Sequence, residues 1–102
     1  MGAEQKHQAL FAQLVIMFHA ATMQHLGKVK NPLTDRIERD LTAAQGSIDV
    51  LDMLQEKTKG NLNEEENRLL TQVLKELKLN YVDEVNKPVP EPPSQEEGEK
   101  GQ

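Results

Sequence analysis

The chain contains no cysteine and no tryptophan, and its only aromatic residues are Phe11, Phe18 and Tyr81. Without cysteine it cannot form disulfide bonds, thiolate metal sites or a cysteine nucleophile. With so few aromatic side chains, its core must be built from leucine, isoleucine, valine, methionine and alanine. The core of a chain of 102 residues is modest, so self-association is one way to bury more apolar surface.

Long apolar runs are also missing. The longest apolar stretch, residues 14–23, is interrupted by His19 and is shorter than the roughly 20 residues that a membrane-spanning helix needs. It follows Glu4 and lacks the basic leader and small-residue cleavage pattern of a secretion signal. We therefore expect no membrane segment and a cytoplasmic location.

Acidic residues outnumber basic ones, most of all at the end of the chain. The net charge is −5, and six of the 17 acidic residues but only two of the 12 basic residues fall in residues 83–102. Four prolines lie within residues 88–93, and proline removes backbone donors from helices and sheets. The composition predicts a disordered, acidic and proline-rich tail over residues 87–102.

The basic residues of the body form one concentration, which supplies the candidates for contacting nucleic acid: Lys28, Lys30, Arg36 and Arg39. Such a group of cations is able to meet phosphates or an acidic partner. Neighbouring Asp35, Glu38 and Asp40 dilute it, and no aromatic platform accompanies it for base stacking. The pattern argues against nucleic-acid binding, and an RNA- or ribosome-associated role through residues 28–39 stays as the alternative function.

Residues 1–86 show the helical period of apolar residues in three segments, at about residues 4–26, 40–59 and 64–84. Short connections between helices of this length favour antiparallel neighbours. The sequence therefore predicts one all-α domain, a three-helix bundle with up-down-up antiparallel order.

Residues that favour helix ends mark the first connection. Gly27 is suited to end the first helix because glycine adopts a positive φ at little cost. Asp40 is suited to cap a second helix that starts at Leu41, and Thr34 or Asp35 would cap an earlier start. The later start is favoured because the apolar period becomes regular only after Leu41.

The stretch QEKTKGNLNEEE, residues 55–66, connects the second and third segments. Gly60 is suited to end one helix, and Asn63 with Glu66 forms a capping-box pattern for the next. The three consecutive glutamates would repel a phosphate, and the acidic residues do not alternate as in a calcium-binding loop. We interpret the stretch as a bend between helices.

The first helix is apolar over more of its circumference than a surface helix needs. Its first apolar face includes Leu10, Leu14 and Val15, and a second flank includes Met17. This width indicates either a central helix or a flank that another chain covers. We expect a homo-oligomer, a dimer or higher, and an unidentified protein partner, with these interface candidates: Val15, Ile16, Phe18, His19 and Met23.

Candidate chemistry is sparse. His19 and His25 are six positions apart, which is about 120° around a helix, so they do not converge on one ion. No nucleophile stands next to a base in the sequence pattern. We therefore predict no catalytic, cofactor-binding or metal-binding residues, and a protein that is not an enzyme but a noncatalytic interaction or adaptor module.

Three segments carry a resemblance to a known family: HLGKVKNP at residues 25–32, DLTAAQGSIDVLDMLQEKTKGNL at residues 40–62, and the spaced Glu66, Leu70, Leu74, Leu77 and Tyr81. Through them the chain resembles, over about residues 8–85, the small bacterial proteins described as domain of unknown function 1844. The resemblance implies a helical fold and the bacterial cytoplasm, and it implies no activity. Gly46 departs from the family pattern, where a bulkier helix former is expected.

Overall fold

Residues 2–87 are described by the computed structural model, and they form three α-helices. Helix α1 spans Ala3–His25, α2 spans Leu41–Lys57 and α3 spans Glu64–Val85. The only β feature of residues 2–87 is an isolated bridge in the first connection, so the predicted all-α fold is confirmed. The predicted tail lies, from residue 88 onward, outside the described residues.

Helix α2 begins at the later of the two predicted starts. The Asp40 side chain accepts a hydrogen bond from the backbone N–H of Ala43 at 3.0 Å, as an N-cap residue does. Asp35 instead adopts a left-handed conformation, with φ of 58°, in the turn that precedes the helix. The earlier start is excluded because residues 36–40, between that turn and Leu41, are not helical.

The two glycines predicted to end helices both have positive φ. Gly27 has φ of 81° and Gly60 has φ of 86°, conformations that residues with a side chain rarely adopt. Beyond Gly60, the Asn63 side chain accepts from the backbone N–H of Glu66 at 2.8 Å, and the Glu66 carboxylate accepts from that of Asn63 at 2.9 Å. This reciprocal pair is the predicted capping box, and residues 55–66 form the bend that the sequence indicates.

The core is aliphatic and receives side chains from all three helices. Its buried members are Val15 from α1, Ile48 and Leu51 from α2, and Leu70, Val73, Leu74 and Leu77 from α3. Partly buried side chains surround them, namely Phe11, Phe18, Met23, Leu54, Leu62, Leu69 and Tyr81. The three aromatic residues thus lie at the margin of the core. The buried residues of the core are aliphatic, as the scarcity of aromatic residues in the sequence predicts.

Contacts between side chains define the directions of the helices. Gln8 contacts Glu65 near the start of both α1 and α3, and His19 lies 3.2 Å from Glu76 further along both helices. Helices α1 and α3 therefore run in the same direction. Helix α2 runs opposite to α3, since Gln55 contacts Thr71 and the earlier Asp52 contacts the later Lys78.

The connection between α1 and α2 is a tight, hydrogen-bonded loop. The backbone N–H of Asn31 donates to the carbonyl of Arg36 at 2.8 Å, and that of Asp40 donates to the carbonyl of His25 at 2.7 Å. The Asn31 side chain also accepts from the N–H of Leu33 at 2.8 Å. These bonds hold Lys28 and Arg39 close to the end of the bundle where α3 finishes.

Candidate interaction surface

Helix α1 has two different apolar flanks. One flank enters the core and contains Val15 and Thr22, which are fully buried, with Phe11 and Phe18 partly buried beside them. The other flank is exposed and contains Leu10, Leu14, Met17 and Ala21, of which Met17 leaves 59% of its surface in water. The exposed flank repeats at intervals of four, three and four residues, so its members lie in one row along the helix.

The exposed row of α1 borders α2. Gln8 and His19 mark the side of α1 that contacts α3, and the row of Leu10, Leu14 and Met17 lies on the other side of Val15. On α2, Asp52 and Gln55 mark the side that contacts α3. The opposite side of α2 faces outward from the bundle, and it carries three exposed residues: Gly46, Val50 and Met53.

We group the exposed, uncharged residues on the outer sides of these two helices under one name, the α1–α2 face: Leu10, Leu14, Met17 and Ala21 of α1 with Gly46, Val50 and Met53 of α2. No member carries a charge. Residues 7–27 contain no Asp, Glu, Lys or Arg at all, although these types make up 28% of the chain. A solvated helix side in a chain of this composition ordinarily carries charged residues, so the face resembles a covered surface more than a solvated one.

The interface candidates predicted from the sequence lie in different places. Val15 is fully buried in the core of the single chain, and Phe18 and Met23 pack against that core. These three are therefore committed to folding. His19 is partly buried beside Glu76, and Ile16 is 55% exposed near the side of α1 that contacts α3.

The sequence interpretation did not select Leu10, Leu14 and Met17, and it grouped Leu10 and Leu14 with Val15 on one face. In the structure, Leu10 and Leu14 are 51% and 40% exposed while Val15 is fully buried. The sequence does contain a pattern that groups Leu10 and Leu14 apart from Val15, because their spacing continues through Met17 and Ala21. Helical spacing alone, however, does not indicate which of two apolar rows enters a core.

A cluster of ionised side chains lies at the end of the bundle where α3 finishes, and we name it the Glu84 cluster: Lys28, Arg39, Asp83, Glu84 and Lys87. The Lys28 Nζ atom lies 2.8 Å from a carboxylate oxygen of Asp83 and 2.8 Å from one of Glu84. Lys87 Nζ lies 2.9 Å from Glu84, and an Arg39 guanidinium nitrogen lies 3.7 Å from it. The Glu84 side chain is only 8% exposed, so the cluster fastens the first connection to the end of α3.

The cluster favours the charged forms of three of its members, Lys28, Asp83 and Glu84. The hydrogen bonds that Lys28 and Lys87 donate lower the pKa of Asp83. Burial acts to raise the pKa of Glu84, but hydrogen bonds and charge from the same two lysines outweigh it, so that pKa is also lowered. The hydrogen bonds with Asp83 and Glu84 raise the pKa of Lys28. At neutral pH these carboxylates are therefore poor proton acceptors.

The four nucleic-acid candidates are each paired with a carboxylate. Lys28 and Arg39 belong to the Glu84 cluster, Lys30 lies 3.9 Å from Asp35, and Arg36 lies 3.6 Å from Glu38. The opposite charges of these partners reduce the positive potential that attracts phosphates. The structure of residues 28–39 thus offers no observation that favours nucleic-acid binding by these residues over protein association through the α1–α2 face.

Other surface features add little chemistry. A hollow of about 420 Å³ lies beside the α2–α3 bend and is lined mainly by polar residues such as Gln55, Asn63 and Asn67. Among residues 2–87, no three His, Asp or Glu side chains lie close enough together to hold a metal ion. No helix in this part of the chain has the length and apolar character needed to cross a membrane.

The fold and its outer face define a small all-α protein in which residues 2–87 form three helices with an exposed apolar surface. The sequence model of the family described as domain of unknown function (DUF1844) matches residues 8–83, and the chain belongs to this family. The resemblance noted in the sequence is thereby confirmed. No curated protein and no solved structure matches the chain.

Proposed function

We propose that this protein is a noncatalytic interaction module of the bacterial cytoplasm that associates with a second copy of itself through the α1–α2 face. The observation that carries the proposal is that this face is exposed and apolar and contains no charged residue. Large apolar surfaces left in water mark sites of association. The family resemblance supports the bacterial location, and the absence of charge permits the face to meet its own copy without repulsion.

The exposed side chains offer enough apolar area for measurable association. Leu10, Met17 and Met53 each leave about half of their surface in water, at 51%, 59% and 49%. Full burial of such a side chain is worth roughly 1.5–3 kcal/mol, so covering the exposed half is worth roughly 1 kcal/mol for each. In a dimer both copies bury these side chains, so the free energy gained is doubled. This gain must exceed the free-energy cost of the translational and rotational freedom lost on binding.

The charged groups support a role without catalysis. A general base needs a pKa close to the working pH, whereas the pKa values of Asp83 and Glu84 are lowered, away from neutrality. The positive charge of Lys28 is paired with the negative charges of Asp83 and Glu84, and these ion pairs hold Lys28 against the end of α3. We assign the Glu84 cluster a structural role.

The proposal is tested by the molar mass of the full chain, measured by light scattering and sedimentation over a range of concentrations. We expect the wild type to be a dimer or higher, and Met17→Glu to be a monomer because it places a charge in the centre of the face. Leu79→Glu is the matched control, since Leu79 is 63% exposed and lies on the side of α3 opposite to the buried Leu70 and Leu77.

Circular dichroism of the same samples shows whether each variant keeps its helices. A monomeric wild type at the highest concentration contradicts the proposal. So does a Leu79→Glu chain that dissociates as completely as Met17→Glu, because the effect would then not depend on the α1–α2 face. Phe18→Glu is unsuitable for this test, since Phe18 packs against the core.

A further inference from the structure

The methionines of this chain differ in their access to solvent. Peroxides oxidise cysteine and methionine most readily among side chains, and the chain contains no cysteine. Of its four methionines, Met17, Met23 and Met53 lie within residues 2–87. Met17 and Met53 are exposed, each with about half or more of its surface in water, whereas Met23 is partly buried and packs against the core. A small oxidant therefore reaches the sulfur atoms of Met17 and Met53 first.

We propose that Met17 and Met53 are sites of reversible oxidation to methionine sulfoxide, and that their oxidation weakens association through the α1–α2 face. The second part rests on the self-association proposed above. Both residues belong to that face, Met17 on α1 and Met53 on α2. Oxidation replaces an apolar thioether by a polar sulfoxide. Covering the oxidised side chain removes a polar group from water, so less free energy is gained on association.

The oxidant is a peroxide and the reductant is a dithiol. The thioether sulfur attacks one peroxide oxygen, so an S–O bond forms and the O–O bond breaks. With hydrogen peroxide, the proton of the transferred oxygen passes to the departing oxygen, which leaves as water. The sulfur loses two electrons and the peroxide gains them. In the reverse step, two thiols become a disulfide and the sulfoxide oxygen leaves as water. A chain without cysteine cannot supply these thiols, so they belong to a separate reductase.

The positions of the methionines separate a change of surface from damage to the fold. Among residues 2–87, the buried members of the core are leucine, isoleucine and valine residues. A sulfoxide at Met17 or Met53 keeps its oxygen in water, so it leaves no buried polar group without a partner. A sulfoxide at Met23 would place that oxygen against the core. Exposure also lets a reductase reach Met17 and Met53 without unfolding the chain.

The two sites are tested by treating the dilute wild-type chain with hydrogen peroxide and locating the sulfoxides over time by peptide mapping with mass spectrometry. We expect Met17 and Met53 to be oxidised at similar rates, and Met23 roughly tenfold more slowly. Circular dichroism is expected to show unchanged helix content once Met17 and Met53 are oxidised. The two epimer-specific methionine sulfoxide reductases, supplied with dithiothreitol, are expected to restore both residues in the folded chain.

The effect on association is tested by light scattering before and after peroxide. We expect the molar mass of the wild type to fall on oxidation and to recover on reduction. A chain with both Met17→Leu and Met53→Leu is the matched control, because it keeps the two side chains apolar but has no thioether at either site. Its molar mass is expected to be the same before and after peroxide, and a fall would overturn the assignment to these two residues.

Oxidation of Met23 as fast as that of Met17 and Met53 would overturn the two sites. Loss of helix content when only Met17 and Met53 are oxidised would do so as well, and sulfoxides that are restored only after unfolding would overturn reversibility. A wild type that keeps its associated mass after both residues are oxidised would overturn the effect on association while self-association stands. A wild type that is monomeric before peroxide would overturn self-association together with that effect, while the mapping still decides the two sites.

Discussion

The Glu84 cluster permits a quantitative prediction about stability, tested by Lys28→Met. This change removes the cation that bonds both Asp83 and Glu84 at 2.8 Å and keeps the aliphatic stem of the side chain. Lys28 is 22% exposed and Glu84 is 8% exposed, so the Lys28–Glu84 bond is better shielded from water than a surface ion pair.

A hydrogen bond between charged groups contributes about 1.5–3 kcal/mol to stability. Breaking a fully buried pair costs about 3–5 kcal/mol, but Lys87 and Arg39 remain near Glu84 after the change. We therefore expect Lys28→Met to lower the free energy of unfolding by about 2 kcal/mol. The total free energy of unfolding of a small domain is only about 5–15 kcal/mol, so the loss is large.

The assay is urea denaturation followed by circular dichroism, repeated at several protein concentrations so that dissociation of copies is separated from unfolding. Lys30→Met is the control: Lys30 lies 3.9 Å from Asp35, and both side chains are mostly exposed. Exposed pairs of this kind contribute about 0–1 kcal/mol. If Lys28→Met costs no more than Lys30→Met, the cluster does not fasten the connection, and the reasoning is refuted.

Two further predictions follow from particular residues. Because the pKa values of Asp83 and Glu84 are lowered in the folded chain, the stability that they add is present above the ordinary carboxyl pKa of about 4 and is lost as the pH falls through the lower folded values. Acid titration of the unfolding free energy is expected to show this loss, and a Glu84→Gln chain with the same acid dependence would contradict it. Gly46→Ala is expected to raise the free energy of unfolding of dilute, monomeric protein by about 1 kcal/mol, since an added Cβ meets nothing within 4 Å. Thermal and urea denaturation measure the change, and a destabilised monomer would show that the single chain needs this glycine.

Helix ends were the part of the fold that the sequence predicted best. Asp40, Asn63, Gly27 and Gly60 all take their expected places. Each acts through hydrogen bonds or backbone angles within a few residues, so the information is local. The predicted helix bounds differ from the observed ones by two residues at most, the largest difference being at the end of α2.

The interface candidates were harder to predict because α1 is apolar on both flanks. Val15 and Leu14 are neighbours of similar character, yet Val15 is fully buried and Leu14 is 40% exposed. The basic connection posed a related difficulty. Lys28 and Arg39 pair with Glu84 on α3, which lies 56 positions after Lys28 in the sequence. No local sequence pattern predicts a pairing over that distance.

The sequence by itself determined three helices, their ends, the bends at Gly27 and Gly60, and a core without cysteine or tryptophan. Those features depend on composition and on interactions between near neighbours in the chain. Only the tertiary structure decided which flank of α1 remains outside and that the cations of residues 28–39 are paired. The physical reason is that both outcomes depend on where α2 and α3 pack against α1, and therefore on contacts between residues far apart in the sequence.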